Sequence, residues 1–155
     1  MTNTSRLAAI LTTALTLATG VTPVLAHDDA PHPDTLKAAH GGQLGMAGSL
    51  SYELVVVKDA KDTKEGPVVV YVTDHTGQKV PTAGANGTAT ILAGKLKASA
   101  TLQPDGDNRM KGIAKYAATP DMKVVVSITM PGKPPEQTRF TPMAAAKDGH
   151  TDHKH

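Results

Sequence analysis

The chain has 155 residues, with 16 basic and 14 acidic side chains and a formal net charge of +2 when the histidines are neutral. This near balance argues against nucleic acid or an anionic membrane as a dedicated partner, because both require a strongly basic surface. The chain contains no cysteine, so no disulfide can stabilise it. With one Phe, three Tyr and no Trp, the core must be built from aliphatic side chains and methionine.

Residues 1–26 have the pattern of a Sec-type secretory signal peptide. Arg6 supplies a positive start, and residues 7–18 form an apolar run that is too short to cross a bilayer. Val24 and Ala26 are small residues at the −3 and −1 positions of a cleavage site. We therefore predict cleavage after Ala26, a periplasmic location and no membrane insertion after cleavage. A transmembrane segment is the alternative, but no stop-transfer charge cluster follows the apolar run.

The mature chain divides into three parts by composition. Residues 27–39 are charged and interrupted by prolines, which predicts a flexible leader. A folded domain is expected over residues 40–143, and its first nine residues are dense in glycine and able to form turns or a bulged first strand. Residues 144–155 are small, charged and rich in histidine, which predicts a disordered tail.

The strongest strand signal is residues 67–74, P-V-V-V-Y-V-T-D, which are almost all β-branched or aromatic. Pro67 has no N–H for a ladder, so we expect it at the beginning of the strand. Asp74-His75-Thr76-Gly77 then has the side chains of a tight turn. The pattern predicts a central strand that runs into a turn with His75 at its tip.

Seven segments in all have the composition or the period-two alternation of strands. In the fourth, Leu96, Ala98, Ala100 and Leu102 share one face, and in the sixth Val124, Val126 and Ile128 do. Short strands separated by turns about every ten residues predict an all-β fold, an antiparallel Ig-like β-sandwich of about seven strands. The predicted strands are residues 50–58, 67–74, 88–92, 95–103, 109–116, 122–130 and 136–141.

All seven histidines follow the predicted cleavage site, and six of them lie near the two ends of the mature chain. Neutral imidazole is the commonest side-chain ligand for transition metals. The tail offers three imidazoles and two carboxylates within eight residues, so it can fold around one ion at a cost in chain entropy. A solvated tail without a ligand is the alternative. The terminal histidines are His27, His32, His40, His150, His153 and His155.

A second candidate site uses the folded domain. After cleavage, His27 would present its α-amine and ring nitrogen as a chelate that suits Cu(II), unless it merely follows the cleavage site. We predict that the tightest site needs His40 or His75, brought together by the sheet and helped by Met46 or His27. A pre-formed site loses less entropy on binding than a flexible tail does. The alternative for His75 is an ordinary exposed turn residue.

The remaining methionines and the acidic loop have simpler interpretations. Thioethers can bind Cu(I), but methionines in strand patterns are expected to fill the core, as for Met110, Met122 and Met130. Residues 105–108, D-G-D-N, lack the closing Glu of an EF-hand and predict a hairpin turn. The chain has no cysteine, G-x-S-x-G, H-E-x-x-H or phosphate-binding loop, so we do not expect an enzyme.

From residue 40 onward, the sequence contains H-G-G-Q-L, Y-E-L-V-V, V-Y-V-T-D-H-T-G-Q, G-A-N-G-T-A and L-Q-P-D-G-D-N. This pattern resembles small periplasmic proteins of bacterial heavy-metal resistance clusters, and it is similar to a β-rich segment of the adaptor subunits of metal-efflux pumps. The resemblance covers residues 39–143. It implies periplasmic metal handling, with His40 and His75 as the relevant histidines. The chain lacks the helical hairpin and lipoyl-like domain of an adaptor, which favours a free-standing domain.

We therefore expect a periplasmic metal-binding accessory protein in heavy-metal resistance or efflux. Copper is the first candidate ion, and zinc, cobalt or nickel come next. A periplasmic efflux adaptor or another resistance protein is the expected partner. The alternative is a β-sandwich interaction module that docks on a periplasmic or efflux partner through a sheet edge and binds no metal.

Overall fold

The computed structural model describes residues 37–144, which form eight β-strands and no helix. The all-β, antiparallel prediction is confirmed, but the strand count is eight instead of about seven, because the glycine-dense segment supplies a short strand of its own. Residues 37–144 therefore contain no helix that could cross a bilayer. The strands are β1 (Gln43–Ala47), β2 (Leu50–Val56), β3 (Lys64–Asp74), β4 (Asn86–Ala93), β5 (Leu96–Pro104), β6 (Arg109–Tyr116), β7 (Lys123–Thr129) and β8 (Glu136–Phe140).

The strands follow the spatial order β1-β2-β3-β6-β5-β4-β7-β8, and every pairing is antiparallel. The sheet turns a corner between β5 and β6, where only Gln103 and Pro104 pair with the neighbouring strand. We call β1-β2-β3-β6 the first half-sheet and β5-β4-β7-β8 the second half-sheet. Strands β4, β5, β6 and β7 have the connectivity of a Greek key, since β7 returns to lie beside β4.

The first and last strands meet, so the sheet is nearly closed and barrel-like. The backbone N–H of Thr141, just after β8, donates to Gln43 Oε1 on β1 at 2.8 Å. Gly45 on β1 has room for no side chain, because a Cβ there would lie 2.9 Å from the ring of Phe140 on β8. This closure distinguishes the fold from two separate, open-edged sheets.

The core lies between the two half-sheets and follows the predicted alternation. Val68, Val70 and Val72 of β3 are fully buried, as are the predicted inward residues of β7. The core-filling prediction for the methionines is confirmed, since Met110, Met122 and Met130 are all buried. Because side chains alternate across a strand, the odd-numbered residues of β3 and the even-numbered residues of β4 point to the outer faces.

Pro67 does not begin its strand, as the sequence predicted, but is the fourth residue of β3. Val72 N–H donates to Asn108 O, on the side of β6. The backbone N–H groups of the even-numbered residues of β3 therefore point to β6, and the nitrogen of Pro67 faces β2. The pairing between β2 and β3 reaches only as far as Val68, so Pro67 lies just beyond its end. There the Tyr116 hydroxyl accepts from Val57 N–H at 3.1 Å and donates to Pro67 O at 2.7 Å. The Tyr116 hydroxyl therefore bridges Val57 N–H and Pro67 O, so both of these groups keep a hydrogen-bond partner where the ladder ends.

Both predicted turns are confirmed. Asp74 Oδ1 accepts from the N–H and hydroxyl of Thr76, at 2.8 and 2.7 Å, and from Gln78 N–H at 3.0 Å. These bonds are the main reason that the pKa of this exposed carboxyl lies below its usual value, and the neighbouring His75 adds to the effect. The loop after β5 closes through the Asp105 N–H, which donates to Arg109 O at 2.8 Å.

Candidate metal-binding site

The outer face of the first half-sheet carries a buried carboxylate. Ser51 and Glu53 point outward on β2, yet they are only 1% and 5% exposed. Ionisable groups at outward positions are normally solvated. Here residues 39–42 fold back over β2 and cover Glu53, so the segment that precedes β1 forms part of the site.

The Glu53 carboxylate has four hydrogen-bond partners: three backbone N–H groups and the ring of His40. Oε1 accepts from the N–H of His40 at 2.7 Å and of Gly42 at 2.9 Å. Oε2 accepts from Ala39 N–H at 3.1 Å and lies 2.8 Å from His40 Nδ1. Gly42 is the residue that permits this close approach, since a Cβ there would lie 2.4 Å from Leu54 O. One carboxylate thus fixes the whole turn in front of β1.

Burial alone would raise the pKa of Glu53, but the hydrogen bonds outweigh it. The His40 ring and the N–H groups of Gly42 and His40 stabilise the carboxylate, and the net effect lowers the pKa below its ordinary value. Glu53 is therefore ionised at neutral pH. An ionised carboxylate only accepts hydrogen bonds, so the proton between the two side chains is on His40 Nδ1.

This bond fixes the tautomer and the orientation of His40. With the proton on Nδ1, the neutral ring keeps its lone pair on Nε2. The ring also stacks on Tyr71 of β3, with 3.5 Å between centroids and an interplanar angle of 3°. The side chain is 40% exposed. A carboxylate that orients an imidazole and raises its basicity is the usual outer-shell partner of a metal-ligating histidine.

The same row of side chains continues across the sheet. Glu53 pairs with Tyr71, and Tyr71 pairs with Arg109 of β6. The Arg109 guanidinium lies 2.9 Å from Asp105 Oδ2, and its Nε donates to Asp105 O at 2.7 Å. Tyr71 is the first cause of the raised pKa of Arg109, and the Asp105 charge is the second. The Tyr71 ring on which His40 stacks therefore has Arg109 as its neighbour on β6.

Met46 lies on the same outer face, and its side chain is accessible. It is 51% exposed, and its sulfur accepts a hydrogen bond from Ser51 Oγ at 3.2 Å. Ser51 and Glu53 are two residues apart on one strand, which separates them by about 7 Å. Met46 therefore lies near His40 but must rotate away from Ser51 to share an ion with it.

His75 stands elsewhere on the molecule. It is an exposed residue in the turn after β3, four residues beyond the Tyr71 ring on which His40 stacks. At the rise of a β-strand, four residues correspond to about 13 Å. The sheet therefore holds the two imidazoles at separate places, which does not support the predicted sharing of one ion.

Within residues 37–144, no three side chains of His, Cys, Asp or Glu gather in a way that would hold a metal ion by themselves. His27, His32, His150, His153 and His155 lie outside the described residues, as does the predicted signal peptide. Their contribution stays a prediction. The oriented imidazole of His40 is thus the best-defined candidate ligand in the described part of the chain.

Sequence reasoning identified His40 and Met46 but missed Glu53, Tyr71 and Arg109. The signal for Glu53 was present in L-S-Y-E-L-V-V, where a carboxylate interrupts a strand that is otherwise apolar or small. The donors to Glu53 could not be recognised from the sequence, because they lie 11 to 14 residues earlier and are brought to it by a glycine-containing turn.

The comparisons with known proteins add little. No family model and no curated protein matches the chain. Among solved structures, it is similar to a DUF4426 family protein from Pseudomonas aeruginosa PAO1, with a TM-score of 0.43 and 14% identity, over 63% of this chain and 92% of that one. A likeness this distant carries no argument, so the resemblance to metal-resistance and efflux proteins remains a prediction.

Proposed function

We propose that the chain is a periplasmic metal-binding accessory protein that takes up copper first, and zinc, cobalt or nickel next. The observation that supports this is the His40–Glu53 pair. It holds the His40 ring in one orientation, with Nδ1 on the carboxylate and Nε2 not used by that bond, on a partly exposed side chain, which is what a metal ligand requires. The accessible thioether of Met46 on the same face adds a soft ligand, which suits Cu(I).

The proposal includes a role in heavy-metal resistance or efflux, with export by the predicted signal peptide and no enzymatic activity of its own. An Ig-like arrangement of the strands is part of the same proposal, as the finer description of the all-β sheet. A periplasmic efflux adaptor is the proposed partner. One described imidazole is too few for a stable complex, so further ligands must come from Met46, from the other histidines or from that partner.

Calorimetric titration of the mature protein with Cu(II), Zn(II) and Ni(II) tests the proposal. His40→Ala should abolish the tightest site, and Glu53→Gln should weaken it by about 10- to 100-fold, the usual effect of losing an outer-shell partner. His75→Ala is the matched control, because this exposed turn histidine lies away from the pair. A chain that ends at Met143 separates the contribution of the tail.

Three results would contradict the proposal in different ways. No binding tighter than micromolar by any form would favour the interaction module that binds no metal. Loss of the tight site only on removal of the tail would make the folded domain a scaffold. Loss on His75→Ala with retention in His40→Ala would move the site to the turn after β3.

A further inference from the structure

The outer face of the second half-sheet contains a cavity of about 490 Å³ near the end of β8. This volume falls within the range of small-molecule sites, which runs from about 300 to 1,000 Å³. Its floor is formed by the adjacent strands β4, β7 and β8 and by the residue after β8. The outward side chains that line it are Leu92, Lys123, Val125, Arg139 and Thr141.

Two cations stand at neighbouring positions of this cavity. Arg139 of β8 pairs with Val125 of β7, which places it diagonally across from Lys123. Diagonal neighbours on a sheet are about 7–8 Å apart, so two long side chains can both reach one anionic group between them. The hydroxyl of Thr141 belongs to the same end of the cavity.

The positive charges of Lys123 and Arg139 have no acidic partner among the residues that line the cavity. None of the lining residues that the structure describes is acidic, and Arg139 forms no ion pair within 4 Å in residues 37–144. Asp121, two residues before Lys123, is the nearest carboxylate along the strand. Lys123 forms no ion pair with Asp121 or with any other carboxylate within 4 Å in residues 37–144. Lys123 therefore remains available to a ligand.

The neighbouring diagonal of the same face, from Leu92 to Val125, is apolar. Leu92 is 41% exposed, which is high for a leucine in a strand, and it pairs with Lys123 across the sheet. Val125 lies beside it at the next outward position of β7. The cavity thus combines a cationic end with an apolar side.

We propose that this cavity binds an anionic amphiphile, with its carboxylate or phosphate between Lys123 and Arg139 and its alkyl chain against Leu92 and Val125. The proposal is independent of metal binding, since the cavity lies on the half-sheet that does not carry His40. A free fatty acid and the head group of an anionic lipid share this chemistry.

Titration of the ¹⁵N-labelled mature protein with decanoate below its micelle concentration tests the proposal. Amide shifts should concentrate on β4, β7 and the end of β8. Lys123→Gln and Arg139→Gln should each weaken binding about tenfold, since each removes one charge-assisted hydrogen bond. Leu92→Thr should weaken decanoate and leave acetate unchanged. Lys111→Gln, an exposed lysine on the other half-sheet, is the matched control.

The choice of probes separates the outcomes. Decyltrimethylammonium, with the same chain and the opposite charge, should not bind. Sedimentation with phosphatidylglycerol vesicles but not phosphatidylcholine vesicles would identify the lipid head group as the source, and binding of decanoate alone would identify the free acid. Equal binding of the ammonium probe, absence of shifts up to millimolar decanoate, or binding of an acidic peptide alone would overturn the proposal.

Discussion

The two half-sheets have the same alternation of inward and outward side chains, but their outer faces differ in how far they are covered. On the first, the segment before β1 folds over the sheet, and the outward-facing Glu53 is 5% exposed. On the second, nothing in residues 37–144 covers the corresponding positions, and Leu92 remains 41% exposed. The segment before β1 therefore covers the first face around Glu53, whereas the second face is open, as is the rest of the first, where Ile113 of β6 is 61% exposed.

This difference shows what makes an outward position buried. A strand decides only which side of the sheet a residue faces. Whether water reaches that side depends on a chain segment that is remote in sequence and on the hydrogen bonds that hold it there. Glu53 is such an anchor, because it accepts three backbone N–H groups that would otherwise require water.

The comparison of the two half-sheets holds only if the even-numbered residues of β3 point into the core. Val70→Asp should abolish cooperative unfolding, since it places an unpaired charge at a position with no exposure and should cost more than about 4 kcal/mol. Circular dichroism during thermal denaturation measures the effect. Lys97→Asp, on the outer face of β5, is the control and should unfold like the parent. Equal melting of the two variants would show that the alternation is misassigned.

The next largest effect should come from the anchor of the covered face. Glu53→Gln should lower the free energy of unfolding by about 2–3 kcal/mol, because an amide cannot accept all the bonds that the carboxylate accepts. Urea denaturation measures this loss, and hydrogen exchange should quicken at the N–H groups of Ala39, His40 and Gly42. Glu65→Gln, at an exposed position of β3, should change stability by less than about 0.5 kcal/mol. Similar losses in both variants would mean that the segment before β1 is not held by Glu53.

The covered face should also make stability depend on pH. The pKa of Glu53 is lower in the folded state than in the unfolded chain, where it is about 4.3. Its ionisation therefore stabilises the fold fully above that value, and this contribution is lost as the pH falls through the lowered folded pKa. The difference in unfolding free energy between the parent and Glu53→Gln should be constant near neutrality and shrink in acid. A difference that grows below pH 4 would contradict the assigned direction.

The smallest effect should be found on the open face. Thr90→Val changes an outward, partly exposed residue of β4 and should alter the free energy of unfolding by less than about 0.5 kcal/mol. Thr73→Val is the matched change at an outward position of β3. Urea denaturation of both variants compares the two faces directly. A loss above 1 kcal/mol at Thr90 would indicate that some part of the chain also covers the second half-sheet.

The strands were predictable because their signal is local. β6 was predicted residue for residue, and β2, β4, β5, β7 and β8 were placed within two residues at each end. Pro67 was misplaced, since the hydroxyl that bridges its carbonyl to Val57 N–H comes from Tyr116, 49 residues away. Glu53 was missed for the same reason. Pairings of this kind depend on the register of several strands, which no local pattern contains.

The place where β1 and β8 meet has a consequence for chain connectivity. Gln43 opens β1 and Thr141 follows β8, and the two residues are joined by a hydrogen bond of 2.8 Å. The last strand therefore arrives where the first one starts, and a short turn would convert the pair into a hairpin. Circular permutants that join these ends and open the chain at Gly94, in the tight turn between β4 and β5, should keep every strand pairing while changing the order in which the strands are made.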